Sequence, residues 1–209
     1  MNHNSRDSQK MFSRYELRGQ WQLNPKGWSL VALVSSGILI FGLSLILGII
    51  FRGLYNGVWE GTFSIDGLVF FPITLGLIVV VIIVHEAIHG LLFAILGSKP
   101  RFGFKIIGRF FPVFYATSRA YFSRNQYIII ALSPFLILTL ALIVTGILAT
   151  TDSISTLTLI AMALNVSGSI GDFAAAYNML RHNQKTFFED TEDGFNWYVP
   201  SRIEDTIRE

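Results

Sequence analysis

Two histidines and a glutamate stand where a lipid bilayer would accept only apolar groups. In the run VIIVHEAIHGLLFAIL, Val81 to Leu96, the residues out of place are His85, Glu86 and His89. His85-Glu86-Ala87-Ile88-His89 is an HExxH motif. On a helix, residues four apart share a face, one about a turn above the other. Both imidazoles can then grip one zinc ion, and Glu86 beside it can take a proton from the water that the metal activates. A charged side chain in a membrane span costs about 2.5–3.5 kcal/mol on insertion scales, and such residues mark function. The plainer alternative is a polar cluster that packs helices together and is satisfied by its neighbours.

Two ligands do not complete a catalytic zinc site, which usually has three and keeps one position open. The chain has no cysteine, so His, Asp and Glu are the ligands on offer. His3 lies in the polar N-terminal segment and His182 just past the last apolar run, which makes both poor candidates. Asp172 is the other acidic residue deep within an apolar run. The segment NVSGSIGD puts Asn165, Ser169 and Asp172 on one helical face at i, i+4 and i+7. Gly168 and Gly171 on that side, and Ala87 and Gly90 on the other, permit close approach, although small residues alone mean no more than packing. Asn165 has two readings. The favoured one is interhelical hydrogen bonding; the other is an amide that donates to the substrate carbonyl oxygen as charge develops there. A rival third ligand lies in Glu189-Asp190-Thr191-Glu192-Asp193, where Glu189 and Asp193 have ExxxD spacing. That run follows the last apolar segment and reads as a solvated charged stretch.

The elements that must position these residues are apolar. Of 209 residues, 52% are hydrophobic and 14% charged, against about 25% charged in a soluble domain. This balance, with a mean hydropathy of +0.52, indicates an integral membrane protein. A net charge of +2 and no basic stripe with interleaved aromatics argue against nucleic acid as a partner. Four runs reach the roughly 20 residues that a bilayer core needs: about Trp28–Phe51, Leu68–Gly97, Tyr127–Thr150 and Ile154–Leu180. The first lacks a cleavage pattern and reads as a retained helix. Lys and Arg crowd the N-terminal segment, the Lys99–Arg124 loop and the tail, whereas the other two loops hold only Arg52. The positive-inside rule therefore places both termini and that loop in the cytoplasm. His89 and Asp172 each lie about eight residues, or about 12 Å, from the cytoplasmic ends of their runs, so they fall at one depth. Within the loop, Phe102–Ile107 and Pro112–Thr117 flank a Gly108-Arg109 break and read as a short aromatic hairpin. Its edge could pair with an unwound substrate segment, or its rings could anchor the loop on lipid headgroups. The expected fold is an all-α membrane protein: four transmembrane helices with a short cytoplasmic β-hairpin between the second and third. It divides into a cytoplasmic N-terminal segment 1–27, a four-span domain 28–180 and a cytoplasmic tail 181–209. The termini either recruit partners or solubilise the ends; their residues do not decide.

Three stretches also carry a resemblance: HEAIHG at His85 to Gly90, LSP at Leu132 to Pro134, and NVSGSIGD at Asn165 to Asp172. With the order of the runs, they make the chain resemble intramembrane metalloproteases of the site-2 protease type. More closely, it resembles the small bacterial four-span zincin peptidases of the DUF3267 family. In site-2 proteases the third ligand is an Asp in a Pro-rich, Asp-Gly segment; here Gly171-Asp172-Phe173 has no neighbouring proline. The resemblance implies a multi-pass cell-membrane protein that binds Zn2+ through His85, His89 and Asp172, with Glu86 as catalytic base. The expected activity is a zinc-dependent, membrane-embedded endopeptidase cleaving membrane protein or peptide substrates near the cytoplasmic face of the bilayer. Two other readings stay open: a non-catalytic zinc-binding scaffold or adaptor, and a metal transporter. A transporter wants polar sites along a path, and the sequence offers one cluster at one depth.

Overall fold

The computed structural model describes residues 15–22, 28–56, 67–107, 111–191 and 194–201. Apolar runs become helices α1 (Trp28–Asn56), α2 (Gly67–Ile95), α3 (Arg124–Ile147), α4 (Asp152–Gly168) and α5 (Ile170–Leu180). α4 and α5 are one rod interrupted at Ser169, in a Gly-Ser stretch of the kind that kinks helices. α2, α3 and the α4–α5 rod are each long and apolar enough to cross a membrane. Three of the four expected runs qualify among the described residues; α1, 29 residues long, contributes the apolar stretch Ser35–Phe51. Leu, Ile, Val and Phe side chains stand outward along α1, α2 and α3. A belt of that extent is unfavourable in water and compatible with a membrane protein.

The all-α expectation is overturned. Among the described residues six strands form two antiparallel sheets: β1 (Tyr15–Gln22), β2 (Arg101–Ile107), β3 (Phe111–Thr117), β4 (Tyr121–Ser123), β5 (Phe187–Thr191) and β6 (Gly194–Pro200). β2 and β3 make the hairpin expected between the second and third runs, in register from Arg101↔Thr117 to Ile107↔Phe111. The other four strands, in the order β1-β6-β5-β4, form a sheet the sequence reading did not contain. It draws on both segments assigned there to tails. β1 runs antiparallel to β6, with Trp21 opposite Phe195 and their rings stacked at 5.2 Å. The physical reason is burial: Phe188 and Phe195 point inward and are fully enclosed, so these strands have a core of their own to cover.

That core sits where the helix ends meet the sheet. Phe93 of α2, Tyr127 and Ile130 of α3, Met179 of α5, and Phe122, Phe188 and Phe195 from the strands form one buried cluster. Ring pairs run through it, such as Phe93–Phe122 at 5.4 Å and Phe188–Phe195 at 5.2 Å. α2 is stopped there by its C-cap. Gly97 takes φ +82°, which glycine adopts freely. Its N–H donates to the Ala94 carbonyl at 3.0 Å and that of Ser98 to Phe93 at 2.9 Å, a Schellman ending. The chain then turns into the hairpin, whose Phe102 ring lies against Gly90; any larger residue there would displace it. The helix carrying HExxH is thus fixed against both sheets.

Candidate metal centre

His85 and His89 lie one turn apart on α2, and their rings are 5.1 Å apart. Both are nearly buried, at 9% exposure. The interruption at Ser169 starts α5 beside them and puts Asp172 in its first turn. Asp172 Oδ2 is 3.1 Å from His85 Nε2, and Oδ1 is 3.5 Å from His89 Nε2. One ligand atom from each of the three residues falls within 4.8 Å of the others. The structure therefore brings together all three residues that the sequence nominated as ligands, and among the described residues this is the group so placed.

The other ring nitrogens fix the tautomers. His85 Nδ1 is 3.1 Å from Asn165 Oδ1. The Asn165 amide nitrogen donates to Thr139 Oγ1 at 3.0 Å, which leaves its oxygen to face the imidazole. His89 Nδ1 is 3.0 Å from the Ile130 carbonyl. Both Nδ1 atoms face acceptors and must therefore donate, so in the neutral rings both Nε2 atoms carry lone pairs. Those lone pairs point at a carboxylate. Acceptors facing acceptors need a cation between them, either protons or a metal. In a tetrahedral ion with bonds of about 2.0–2.1 Å, ligand atoms stand about 3.3 Å apart. The observed 3.1 and 3.5 Å bracket that spacing. Two imidazoles and one carboxylate are a zinc donor set, and the outer hydrogen bonds are of the kind that aims such ligands. The residues present fit a zinc ion.

Proline explains one of those bonds. Pro134 lies inside α3 and has no N–H to give the carbonyl four residues back, which is Ile130. That orphan carbonyl is the one His89 uses. In the LSP step, Leu132 to Pro134, the sequence itself carries this signal: a proline four residues after the carbonyl it frees.

Glu86 points to the hairpin. Its Oε2 accepts the Ala116 N–H of β3 at 2.7 Å, and it lies within the electrostatic reach of His85, His89 and Asp172. The amide of Ala116 thus faces away from β2 and toward α2. Asn165 is 1% exposed and occupied with His85, Thr139 and Phe135. These bonds tie α4 to α2 and α3.

The remaining candidates stand elsewhere. His3 lies outside the described residues. His182 packs between Phe188 and Trp197, and burial, with Arg181 beside it, holds its pKa below the ordinary value. Of the rival ExxxD pair, Glu189 accepts from Tyr198 at 2.7 Å and from Asn196 at 3.3 Å within the sheet; Asp193 lies outside the described residues. Asp190 corrects the reading of that run as a solvated stretch. Its carboxylate accepts the Ser118 N–H at 3.2 Å and bonds the Tyr127 and Thr117 hydroxyls. Burial pushes its pKa up to about 6, although these donors pull the other way.

A family model, DUF3267, with the description "Putative zincin peptidase", matches residues 78–187. The match takes in His85, Glu86, His89, Pro134, Asn165 and Asp172. No curated protein and no solved structure matches the chain.

Proposed function

The chain belongs to the DUF3267 family, and from that premise we propose that it is a zinc-dependent, membrane-embedded endopeptidase. His85, His89 and Asp172 hold the metal, and Glu86 is the general base. One observation carries this reading: both imidazoles turn their Nε2 lone pairs on the Asp172 carboxylate while their Nδ1 atoms are tied behind them. Zinc, when bound, polarises a peptide carbonyl and makes water acidic enough to attack it near neutral pH. The chain's own groups do the rest. Glu86 Oε2 is held by Ala116, which leaves Oε1 to take a proton from the attacking water. As the water oxygen bonds to the carbonyl carbon and the C–N bond breaks, Glu86 passes that proton to the departing amine.

A helical substrate is a poor one, because its carbonyls are already bonded, so the cleaved segment must be extended. β3 supports such a reading. Along a strand, residues two apart present backbone groups to the same edge, so the edge bearing Ala116 and Phe114 faces the metal side of the hairpin. A substrate strand added there would lie beside Glu86. The N-terminal strand, the hairpin and the C-terminal strands emerge from the same helix ends, in keeping with the cytoplasmic location that the charges favour. Substrates are then membrane proteins or peptides with an extended stretch near the cytoplasmic surface.

The test uses full-length protein in lipid vesicles and a single-span peptide with a Gly-Ser stretch at its cytoplasmic end, flanked by a fluorophore and a quencher. Zinc-loaded wild type should release the fluorophore. Glu86→Gln should keep its zinc and lose about 10²–10⁴-fold in kcat. Turnover by Glu86→Gln at the wild-type rate contradicts the mechanism. A zinc-loaded wild type that leaves the probe intact contradicts the peptidase and returns the chain to a zinc-holding scaffold.

A further inference from the structure

We infer that Asp190, in the C-terminal hairpin and outside the family match, is a positioning residue that sets Glu86 and His89 together. The inference rests on the peptidase reading for what those two residues do.

Asp190 follows Phe188 by two residues on β5 and shares its inward face. Its carboxylate reaches two elements at once. On one side it takes the Ser118 N–H and the Thr117 hydroxyl. These residues directly follow Ala116, whose N–H holds Glu86. On the other side it takes the Tyr127 hydroxyl. Tyr127 is one turn before Ile130 on the same face of α3, and the Ile130 carbonyl holds His89. Ser118 adds a third tie, since its hydroxyl pairs with that of Ser98 in the cap of α2. A single side chain from the tail therefore braces the strand end that anchors the base, the helix turn that anchors a ligand, and the end of the helix bearing both.

Packing alone does not explain this choice. The surroundings are the aromatic cluster of Phe93, Phe122, Phe188 and Phe195, where a hydrophobic residue would cover Tyr127 and Phe122 well. A carboxylate differs in having acceptors on both oxygens, so it can hold a backbone N–H and a phenol at fixed separation. Asn keeps the shape but offers an N–H on one side. With its oxygen on the Ser118 N–H, its N–H must meet the Tyr127 hydroxyl, which then accepts where it had donated and loses its charged partner, so the α3 bracket weakens.

The experiment compares wild type, Asp190→Asn and Tyr127→Phe as full-length proteins in vesicles. Three quantities are read in each: zinc affinity by chelator competition, kcat and KM on the fluorescent single-span probe, and Tm. Asp190→Asn should lose about tenfold or more in kcat and about tenfold in zinc affinity, with KM within about twofold and Tm no lower than wild type. Tyr127→Phe frees only the α3 bracket, so it should weaken zinc while changing kcat at saturating zinc less. Wild-type zinc affinity and kcat in both variants would overturn the inference, as would losses that merely follow a fall in Tm. If wild type binds zinc but leaves the probe intact, the peptidase reading fails alone, and the zinc affinities still decide the role of Asp190. If Asp190→Asn does not fold, Tyr127→Phe decides it.

Discussion

Asp172 and Asp190 are both half-buried carboxylates, and their surroundings are opposite. Asp190 meets donors: the Ser118 amide and the hydroxyls of Thr117 and Tyr127. Asp172 meets two imidazole Nε2 atoms whose rings already donate through Nδ1 to Asn165 and Ile130. The first carboxylate is satisfied as it stands. The second is complete only with positive charge between it and the rings. An acid ringed by donors is structural mortar, whereas one ringed by acceptors calls for a cation.

The contrast can be broken at several points, the largest effect coming from Asn165. Asn165→Ala removes the acceptor behind His85 and frees its tautomer. Zinc affinity by chelator competition should fall about 10–100-fold; an unchanged value would mean that the amide does not aim the ring. Pro134→Ala gives position 134 an N–H that competes with His89 for the Ile130 carbonyl. One contested hydrogen bond is worth about 1 kcal/mol, so zinc should weaken roughly fivefold while Tm holds or rises as α3 gains a better helix former. A fall in Tm with unaltered zinc affinity would show that the proline serves the helix and not the ligand. The smallest effect is a pH dependence at Asp190. Its carboxyl pKa is raised from 3.8 to about 6, so the folded chain holds that proton more tightly than the unfolded one. The stability this contributes is fully present below about pH 4 and is lost as pH rises through about 6. Wild-type Tm should therefore decline more over that window than the Tm of Asp190→Asn, which has no proton to lose. Parallel Tm curves would place Asp190 in a wetter setting than its contacts suggest.

The centre, the apolar helices and the hairpin were legible and the four-stranded sheet was not, for a physical reason. Inside apolar runs a polar residue is conspicuous because lipid tolerates few of them, so His85, Glu86, His89 and Asp172 announced themselves, and helical geometry gave their common depth. β1 and β6 lie in mixed sequence, where alternation is a weak signal. YELRGQWQ begins an alternation at Tyr15 and Leu17, but a bulge between Leu17 and Gly19 then puts Trp21 on the opposite face from both. Its partner GFNWYVP alternates through Phe195, Trp197 and Val199. Each strand alone buries little; they become a sheet only by pairing across nearly the whole chain, Tyr15 with Pro200. Asp190 was misread for the same reason. In sequence it sits among Glu189, Glu192 and Asp193, and only the fold turns it inward beside Phe188.

The most direct measurement of the central claim is zinc per chain in purified protein supplied with saturating metal, comparing wild type, Asp172→Asn and Asp190→Asn. Both variants remove one half-buried carboxylate, and only one of those faces the imidazoles. The account predicts about one zinc in wild type and Asp190→Asn, and far less in Asp172→Asn. Folded wild type without zinc, or Asp172→Asn that binds it as well as wild type, would contradict the metal centre on which the peptidase depends.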